Sequence, residues 1–99
     1  MGDEEAPVEL TRTEYGLTPD GGDGEQKSSI DFTGTGRAEY VSGDIYIGSF
    51  ENGQKHGAGT YKYYNKEKVG DEETPYYDTF KGYFKDNLKT GLGLMTYKK

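Results

Sequence analysis

A spaced pattern of glycines and aromatic residues, repeated along the chain, constrains its fold more than any other feature. Residues 46–59 and 80–93 carry an aromatic residue, glycines and a Phe at the same positions, at an offset of 34 residues. An offset of 23 residues aligns residues 34–36 with residues 57–59, and both segments read Gly-x-Gly. One 23-residue unit explains both offsets if an 11-residue insertion, polar and loop-like, lies within 64–79. A period of this size indicates a repeat protein built from small supersecondary units.

Residue alternation and turn residues predict that each unit is a β-hairpin. Along residues 46–50 every second position belongs to the pattern (Tyr, Gly, Phe), which places these side chains on one face of a strand. Asn52-Gly53 indicates a type I′ turn, because that turn needs positive φ at both central residues. Asn87 stands where the other copy has Gly53, and asparagine tolerates positive φ better than most residues.

A two-residue turn in each hairpin fixes the expected strand register. In this register each aromatic ring lies over a glycine of the neighbouring strand, which offsets the weakness of glycine in a sheet. A longer loop would change these partners, and that alternative stays open. The expected cross-strand pairs are Tyr46 with Gly59, Gly48 with Gly57, Phe80 with Gly93 and Gly82 with Gly91.

Charge divides the chain into two segments. The net charge of -6 lies within residues 1–29, whereas residues 30–99 hold equal numbers of acidic and basic residues. Residues 20–25 (DGGDGE) have the composition of a flexible acidic linker. We therefore expect a disordered acidic arm over 1–29 and the repeat region over 30–99. The arm is either an inert solubilising tail or a segment that orders on a partner through Tyr15 and Leu17.

Composition argues against several classes of function. The chain has no Cys and one His, His56, so no catalytic constellation is supported, and zinc would need carboxylates as its remaining ligands. The Gly-x-Gly pairs lack the third glycine of a dinucleotide-binding loop. A pI of about 4.7 without a basic stripe argues against nucleic-acid binding. We expect no enzyme activity, no metal, no cofactor and no membrane span, and a partly exposed His56 beside a turn.

The pattern Tyr-x-Gly-x-Phe-x-x-Gly-x-x-His-Gly-x-Gly at residues 46–59 resembles the MORN (membrane occupation and recognition nexus) repeat. On this resemblance residues 34–40 form a partial copy, and residues 46–63 and 80–97 form two nearly complete copies. The implied fold is all-β, an elongated single-sheet meander of β-hairpin repeats preceded by the acidic arm. The chain stops where a further unit would begin, which leaves an edge strand that either more chain or a partner must cover.

The resemblance implies a non-enzymatic scaffold for protein–protein interaction. MORN repeats occur in cytoskeletal scaffolds, including radial spoke components of cilia and flagella, and in lipid kinases and membrane-junction proteins. We therefore expect a cytoplasmic, cytoskeletal protein, with the axoneme of a cilium or flagellum as one setting, that belongs to a larger assembly. Its aromatic-glycine groove would take an extended segment or a helix of a partner protein. The residues expected to bind the partner are Tyr46, Phe50, Tyr61, Tyr63, Phe80, Phe84 and Tyr97.

Two alternatives stay open beside the scaffold. The first is a membrane-contact module that binds anionic lipids, which the neutral repeat region and the acidic arm disfavour. Lys81, Lys85 and Lys89 form a small candidate patch for such headgroups, although a solvated strand face is the simpler role. The second alternative is an accessory repeat region of a larger enzyme.

Overall fold

The computed structural model describes residues 14–22 and 24–98, and in these residues the regular secondary structure consists of β-strands. Every strand pairs in antiparallel fashion with the next one along the chain, so the six strands form one meander sheet. The expected all-β, single-sheet fold is confirmed. The strands are β1 (Gly16–Pro19), β2 (Gly34–Glu39), β3 (Ile45–Glu51), β4 (Gln54–Val69), β5 (Glu72–Lys85) and β6 (Leu88–Thr96).

Two-residue turns close the repeat hairpins as the sequence predicts. Asn52 and Gly53 join β3 to β4 with φ angles of 52° and 84°. Asp86 and Asn87 join β5 to β6 with φ angles of 52° and 72°. Positive φ at both central residues is the requirement of the type I′ turn, whose twist matches that of the flanking strands.

A β-bulge in the first hairpin shifts the strand register. Next to the turn the pairing follows the expected register, but beyond the bulge Tyr46 pairs with Tyr61 and Gly48 pairs with Gly59. The expected pairings of Tyr46 with Gly59 and of Gly48 with Gly57 are therefore wrong. Gly57 lies at the bulge with a φ of 92°, where its missing Cβ permits the extra residues on β4.

The second hairpin also contains a bulge, one residue further from its turn than in the first hairpin. Phe80 pairs with Met95, and the register shifts before the strands reach the turn. The expected pairings of Phe80 with Gly93 and of Gly82 with Gly91 are therefore also wrong. Gly91 lies in the bulge with a φ of 68°. A bulge with a positive-φ glycine, Gly57 or Gly91, occurs in both units, which makes the bulge part of the repeat rather than a local defect.

The insertion within 64–79 lengthens a hairpin instead of forming a loop. Strands β4 and β5 stay paired as far as Val69 and Glu72, and Gly70 and Asp71 alone form the turn. The expected polar loop is therefore wrong. Polar composition did not exclude a strand here, because a hairpin that projects beyond the core meets water on both faces.

Part of the acidic arm belongs to the sheet. Strand β1 pairs with β2, and Leu17 at its centre is fully buried. The ring of Tyr15 packs against that of Tyr40 at a centroid distance of 5.3 Å. The two expected anchors of the arm thus order on the chain's own sheet. Residues 1–13, for which the sequence predicts disorder, lie outside the described residues.

One face of the sheet carries the core, and we call it the aromatic face. Its central ring, Tyr46, lies 5.2 Å from Phe50 and 5.1 Å from Phe84 between centroids, both in edge-to-face geometry. Tyr46 is fully buried by these neighbours. The aromatic face is defined by Tyr46, Phe50, Tyr61, Tyr63, Phe80 and Phe84. The other side of the sheet, the opposite face, is defined by Ile47, Thr60, Lys81 and Tyr83.

Candidate functional site

Five glycines form a row across strands β2 to β6. Gly36, Gly48, Gly59 and Gly82 are successive cross-strand partners. Gly93 continues the row, since its Cα lies 3.0 Å from the position that a Cβ on Gly82 would occupy. This glycine row leaves a lane without side chains on the aromatic face, perpendicular to the strands.

Two aromatic rings lean over the glycine row and fill part of it. A Cβ on Gly59 would lie 2.6 Å from Cζ of Tyr46, and one on Gly93 would lie 2.5 Å from Cε1 of Phe80. The Tyr46 hydroxyl donates a hydrogen bond of 2.8 Å to the carbonyl oxygen of Ser49, which holds the ring in this direction. The predicted ring-over-glycine contacts are confirmed, but they are diagonal contacts rather than direct cross-strand pairs.

Three of the seven predicted partner-binding residues are core residues. Tyr46, Phe50 and Phe84 are 0%, 4% and 3% exposed. Their rings pack on one another and leave no area for a partner. Their contribution to a binding surface is to support the residues around them.

The other four predicted residues keep accessible surface. Tyr61, Tyr63 and Phe80 are half-buried on the aromatic face, and the rings of Tyr61 and Tyr63 lie 4.7 Å apart between centroids. Tyr97, which is 65% exposed, follows the end of β6. The structure therefore brings Tyr61, Tyr63 and Phe80 together, whereas Tyr97 lies at the end of the repeat region. That they bind a partner stays a prediction.

Lys55 lies over the aromatic face, where sequence reasoning placed no charge. Its Nζ is 5.9, 5.8 and 5.7 Å from the ring centroids of Tyr40, Tyr46 and Tyr61. These distances are within the range of cation–π attraction. Burial lowers the pKa of the Lys55 ammonium group, because the rings and strands around it remove water.

Lys89 takes the equivalent place in the second hairpin, 34 residues further on. Its Nζ lies 4.9 Å from the ring centroid of Tyr63 and 4.6 Å from that of Phe80. Lys81 and Lys85 lie an odd number of residues from Phe84 on β5. Because side chains alternate along a strand, both lysines lie on the opposite face. The three lysines of the candidate patch are thus split between the two faces.

The two lysines border an open depression on the aromatic face. Its volume is about 530 Å³. Aromatic rings form its floor, while the ammonium groups and the second turn form its rim. The residues that line it are Lys55, Tyr61, Tyr63, Phe84, Asn87, Leu88 and Lys89.

Each hairpin turn is fixed to the unit before it. The backbone N–H of Gly53 donates to the carbonyl oxygen of Phe32 at 2.8 Å, and that of Asn87 donates to Lys55 at 3.0 Å. The side chain of Asn87 adds a bond that Gly53 cannot make, since its Oδ1 accepts the backbone N–H of Lys55 at 2.8 Å. These bonds fix the backbone at one end of the depression.

Two aspartates anchor the other end of each unit, and sequence reasoning missed them. Asp44 Oδ1 accepts the backbone N–H of Tyr64 at 2.8 Å, and Asp78 Oδ1 accepts that of Lys98 at 2.9 Å. Asp44 Oδ2 also accepts the hydroxyl of Tyr61 at 2.9 Å. Asp44 and Asp78 are separated by the same 34-residue offset as the rings, and that offset is the signal that could have identified them.

The described residues show no cluster of the kind that holds a metal ion. No group of three or more His, Asp or Glu side chains among them is placed to hold a metal ion. His56 Nε2 lies 3.3 Å from Glu51 Oε1 beside the first turn, and His56 is half-buried. Within residues 14–22 and 24–98 there is no helix of the length and hydrophobicity that crossing a membrane requires.

Comparison with known proteins assigns the repeat. The MORN repeat family model matches residues 46–68 and 80–99. No curated protein and no solved structure gives a significant match to the chain. The two matches start at Tyr46 and Phe80, the residues where the two nearly complete copies begin in the sequence pattern. MORN repeats are non-catalytic modules for interaction with proteins or lipids. With two matched segments in a sheet of β-hairpins, this chain contains two MORN repeats.

Proposed function

We propose that the chain is a non-enzymatic scaffold module that binds a segment of a partner protein on its aromatic face. One observation carries this proposal: Tyr61, Tyr63 and Phe80 lie side by side, half-exposed, beside a lane of glycines. Amphipathic rings of this kind are enriched where proteins contact each other, because they bury much area at a low cost in side-chain entropy.

The construction of the sheet supports this proposal. In the part of the chain that the structure describes, the aromatic face is not covered by a second layer of secondary structure. Domains usually bury an apolar sheet face against another element. A partner segment laid across the exposed parts of the rings would supply that missing layer.

A cytoskeletal setting, with the axoneme of a cilium or flagellum as one place, is part of the same proposal and rests on the family resemblance alone.

An anionic membrane is the competing ligand. The acidic balance of the chain, with a net charge of -6, disfavours approach to such a surface.

Partner capture with matched variants tests the proposal. The full chain, Tyr63→Ala and Tyr83→Ala serve as baits in a cytoskeletal extract, and quantitative mass spectrometry compares the captured proteins. Tyr83 is the control because it is an exposed tyrosine of the opposite face, 58% accessible. We expect specific partners that Tyr63→Ala loses and Tyr83→Ala retains. Equal loss with both variants, or binding to anionic vesicles in place of any protein, would contradict the proposal.

A further inference from the structure

We infer that Lys55 and Lys89 form a carboxylate-binding pair, and that the partner segment is extended and acidic. This inference rests on the proposed function and specifies the chemistry of the partner. Each ammonium group would bind one Asp or Glu side chain, while apolar residues between them pack on the rings of Tyr61 and Tyr63.

Both ammonium groups lie over aromatic rings in the absence of a partner. The backbone of Lys55 is fixed on two sides, because its N–H and its carbonyl oxygen are both bonded to Asn87. Its Nζ is further oriented by three rings at nearly equal distances. Lys89 pairs with Phe84 across β5 and β6, and its Nζ lies over Phe80. A charge that is already positioned loses little side-chain entropy when an anion binds.

Neither lysine has a carboxylate partner among the described residues. The ion pairs there join other residues: Lys27 to Glu14, Arg37 to Glu39, His56 to Glu51 and Lys66 to Glu73. Lys55 Nζ donates instead to the neutral amide oxygen of Asn87, at 3.4 Å.

The carboxylates beside the aromatic face are engaged elsewhere. Asp44 accepts bonds from Tyr64 and Tyr61, and Asp78 accepts bonds from Lys98 and Asn65. These bonds serve the fold and leave the two lysine charges uncompensated. The Lys55 ammonium group, which is half-buried without a counter-ion, interacts strongly with an incoming carboxylate.

Both charges lie beside the same pair of tyrosine rings, within the reach of one extended segment. Lys55 Nζ lies 5.7 Å from the Tyr61 centroid, the two tyrosine centroids lie 4.7 Å apart, and Lys89 Nζ lies 4.9 Å from that of Tyr63. Alternate side chains of an extended chain lie about 7 Å apart on one side. Acidic residues two or four positions apart on one side of the segment can therefore reach both lysines, and at the wider spacing the residue midway between them faces the rings.

Selection from a random peptide library tests this inference. The library is displayed on phage and selected on the full-length chain, and in parallel on Lys55→Gln/Lys89→Gln and on the control Lys81→Gln/Lys85→Gln. The control removes the same charge from the opposite face. We expect the wild-type chain and the control to enrich peptides with acidic residues at alternate positions, and the Lys55→Gln/Lys89→Gln variant to lose that enrichment.

Affinity measurement on the selected peptides completes the test. We expect the affinity of the most enriched acidic peptide to fall by about tenfold for each of Lys55→Gln and Lys89→Gln, as for the loss of one charge-assisted hydrogen bond. A neutral version of this peptide replaces each Glu with Gln and each Asp with Asn. It should bind the wild-type chain about as weakly as the acidic peptide binds Lys55→Gln/Lys89→Gln. Thermal unfolding of every variant verifies that the sheet is intact.

The outcomes separate the inference from the proposed function. Selection of peptides that lack acidic residues, but whose binding depends on Tyr63, would overturn the carboxylate-binding pair and leave the scaffold proposal standing. The pair would also be overturned if the acidic peptides bound the control variant Lys81→Gln/Lys85→Gln as weakly as they bound the variant Lys55→Gln/Lys89→Gln. If no peptide depends on Tyr63 and only anionic vesicles bind, both are overturned.

Discussion

The ring of Tyr46 lies over Gly59, its diagonal neighbour on the next strand, and Cζ of the ring is 2.6 Å from where a Cβ of residue 59 would be. Phe80 and Gly93 repeat this relationship in the second hairpin. The glycine is therefore a space requirement of the ring, not a source of flexibility. Because the ring fills that space, the glycine row and the aromatic core depend on each other.

The substitution Gly59→Ala tests this dependence. We expect it to lower the free energy of unfolding by about 2–3 kcal/mol, since the new methyl group overlaps the ring of Tyr46. Ala58→Ser, at the adjacent exposed position, should change it by less than about 0.5 kcal/mol. Urea unfolding measures both. In a Tyr46→Leu background, Gly59→Ala should cost at least about 1 kcal/mol less, and strict additivity would show that the ring is not the cause.

Asn87 offers a prediction opposite to the one that the repeat pattern would give. Glycine occupies this turn position in the first hairpin, so Asn87→Gly restores the pattern and suits the φ of 72°. We nevertheless expect a loss of about 1 kcal/mol, because the bond from the Lys55 N–H to Asn87 Oδ1 disappears. Asn87→Asp keeps an acceptor there and should lose less. Thermal melts that rank Asn87→Gly above the wild-type chain would contradict this account of the turn.

The repeat-equivalent aspartates should differ in their contribution to stability. Asp44→Ala leaves the Tyr64 N–H and the Tyr61 hydroxyl without their acceptor in a half-buried region, at an expected cost of about 2–3 kcal/mol. Asp78→Ala frees the exposed Lys98 N–H and should cost about 1 kcal/mol. Denaturant unfolding of the two variants gives the comparison. Equal costs would mean that burial does not control the strength of these anchors.

Stability should fall at alkaline pH. Burial raises the pKa of Tyr46 to about 12, and it also raises the pKa values of Tyr40 and Tyr61. A phenol whose pKa is higher in the folded state stabilises the fold fully below the unfolded pKa of about 10, and this contribution is lost as pH rises towards the folded value. The lowered pKa of Lys55 acts in the opposite direction, but it is one group against three.

Urea unfolding across the alkaline range measures this effect. Above about pH 10 the free energy of unfolding should decline, by at most about 1.4 kcal/mol per pH unit for each tyrosine. Tyr40→Phe should make the decline shallower, because one titrating group is removed. Tyrosinate absorbance should show that the buried phenols ionise together with unfolding. A stability that stays constant beyond pH 10 would contradict the burial of these hydroxyls.

The sequence predicted those features that depend on local backbone chemistry. Asn52-Gly53 identified a type I′ turn, and the spacing of Tyr46, Gly59 and their copies identified the ring-over-glycine contacts. The register beyond the turn was not predictable in the same way, because Gly57 also fits a regular strand. Nothing in its identity shows that it adopts a φ of 92° at a bulge.

Features that depend on tertiary packing were predicted less well. Leu17 and Tyr15 stand in a glycine-rich acidic context, and their burial depends on packing against β2 and Tyr40, across the connection formed by residues 20–33. The insertion within 64–79 forms strands because each half pairs with the other, which polar composition does not reveal. The position of Lys55 over three rings depends on side-chain direction. The residue pattern indicates only which face that side chain is on.

Nuclear Overhauser effects between a bound acidic peptide and the chain's tyrosine rings test the central claim most directly. The chain has a mass of 11.0 kDa, which suits the measurement. We predict contacts from the apolar side chains of the peptide to the ring protons of Tyr61 and Tyr63, with none to Tyr83. Contacts to Tyr83 without contacts to Tyr61 and Tyr63 would place the partner on the opposite face and contradict the account.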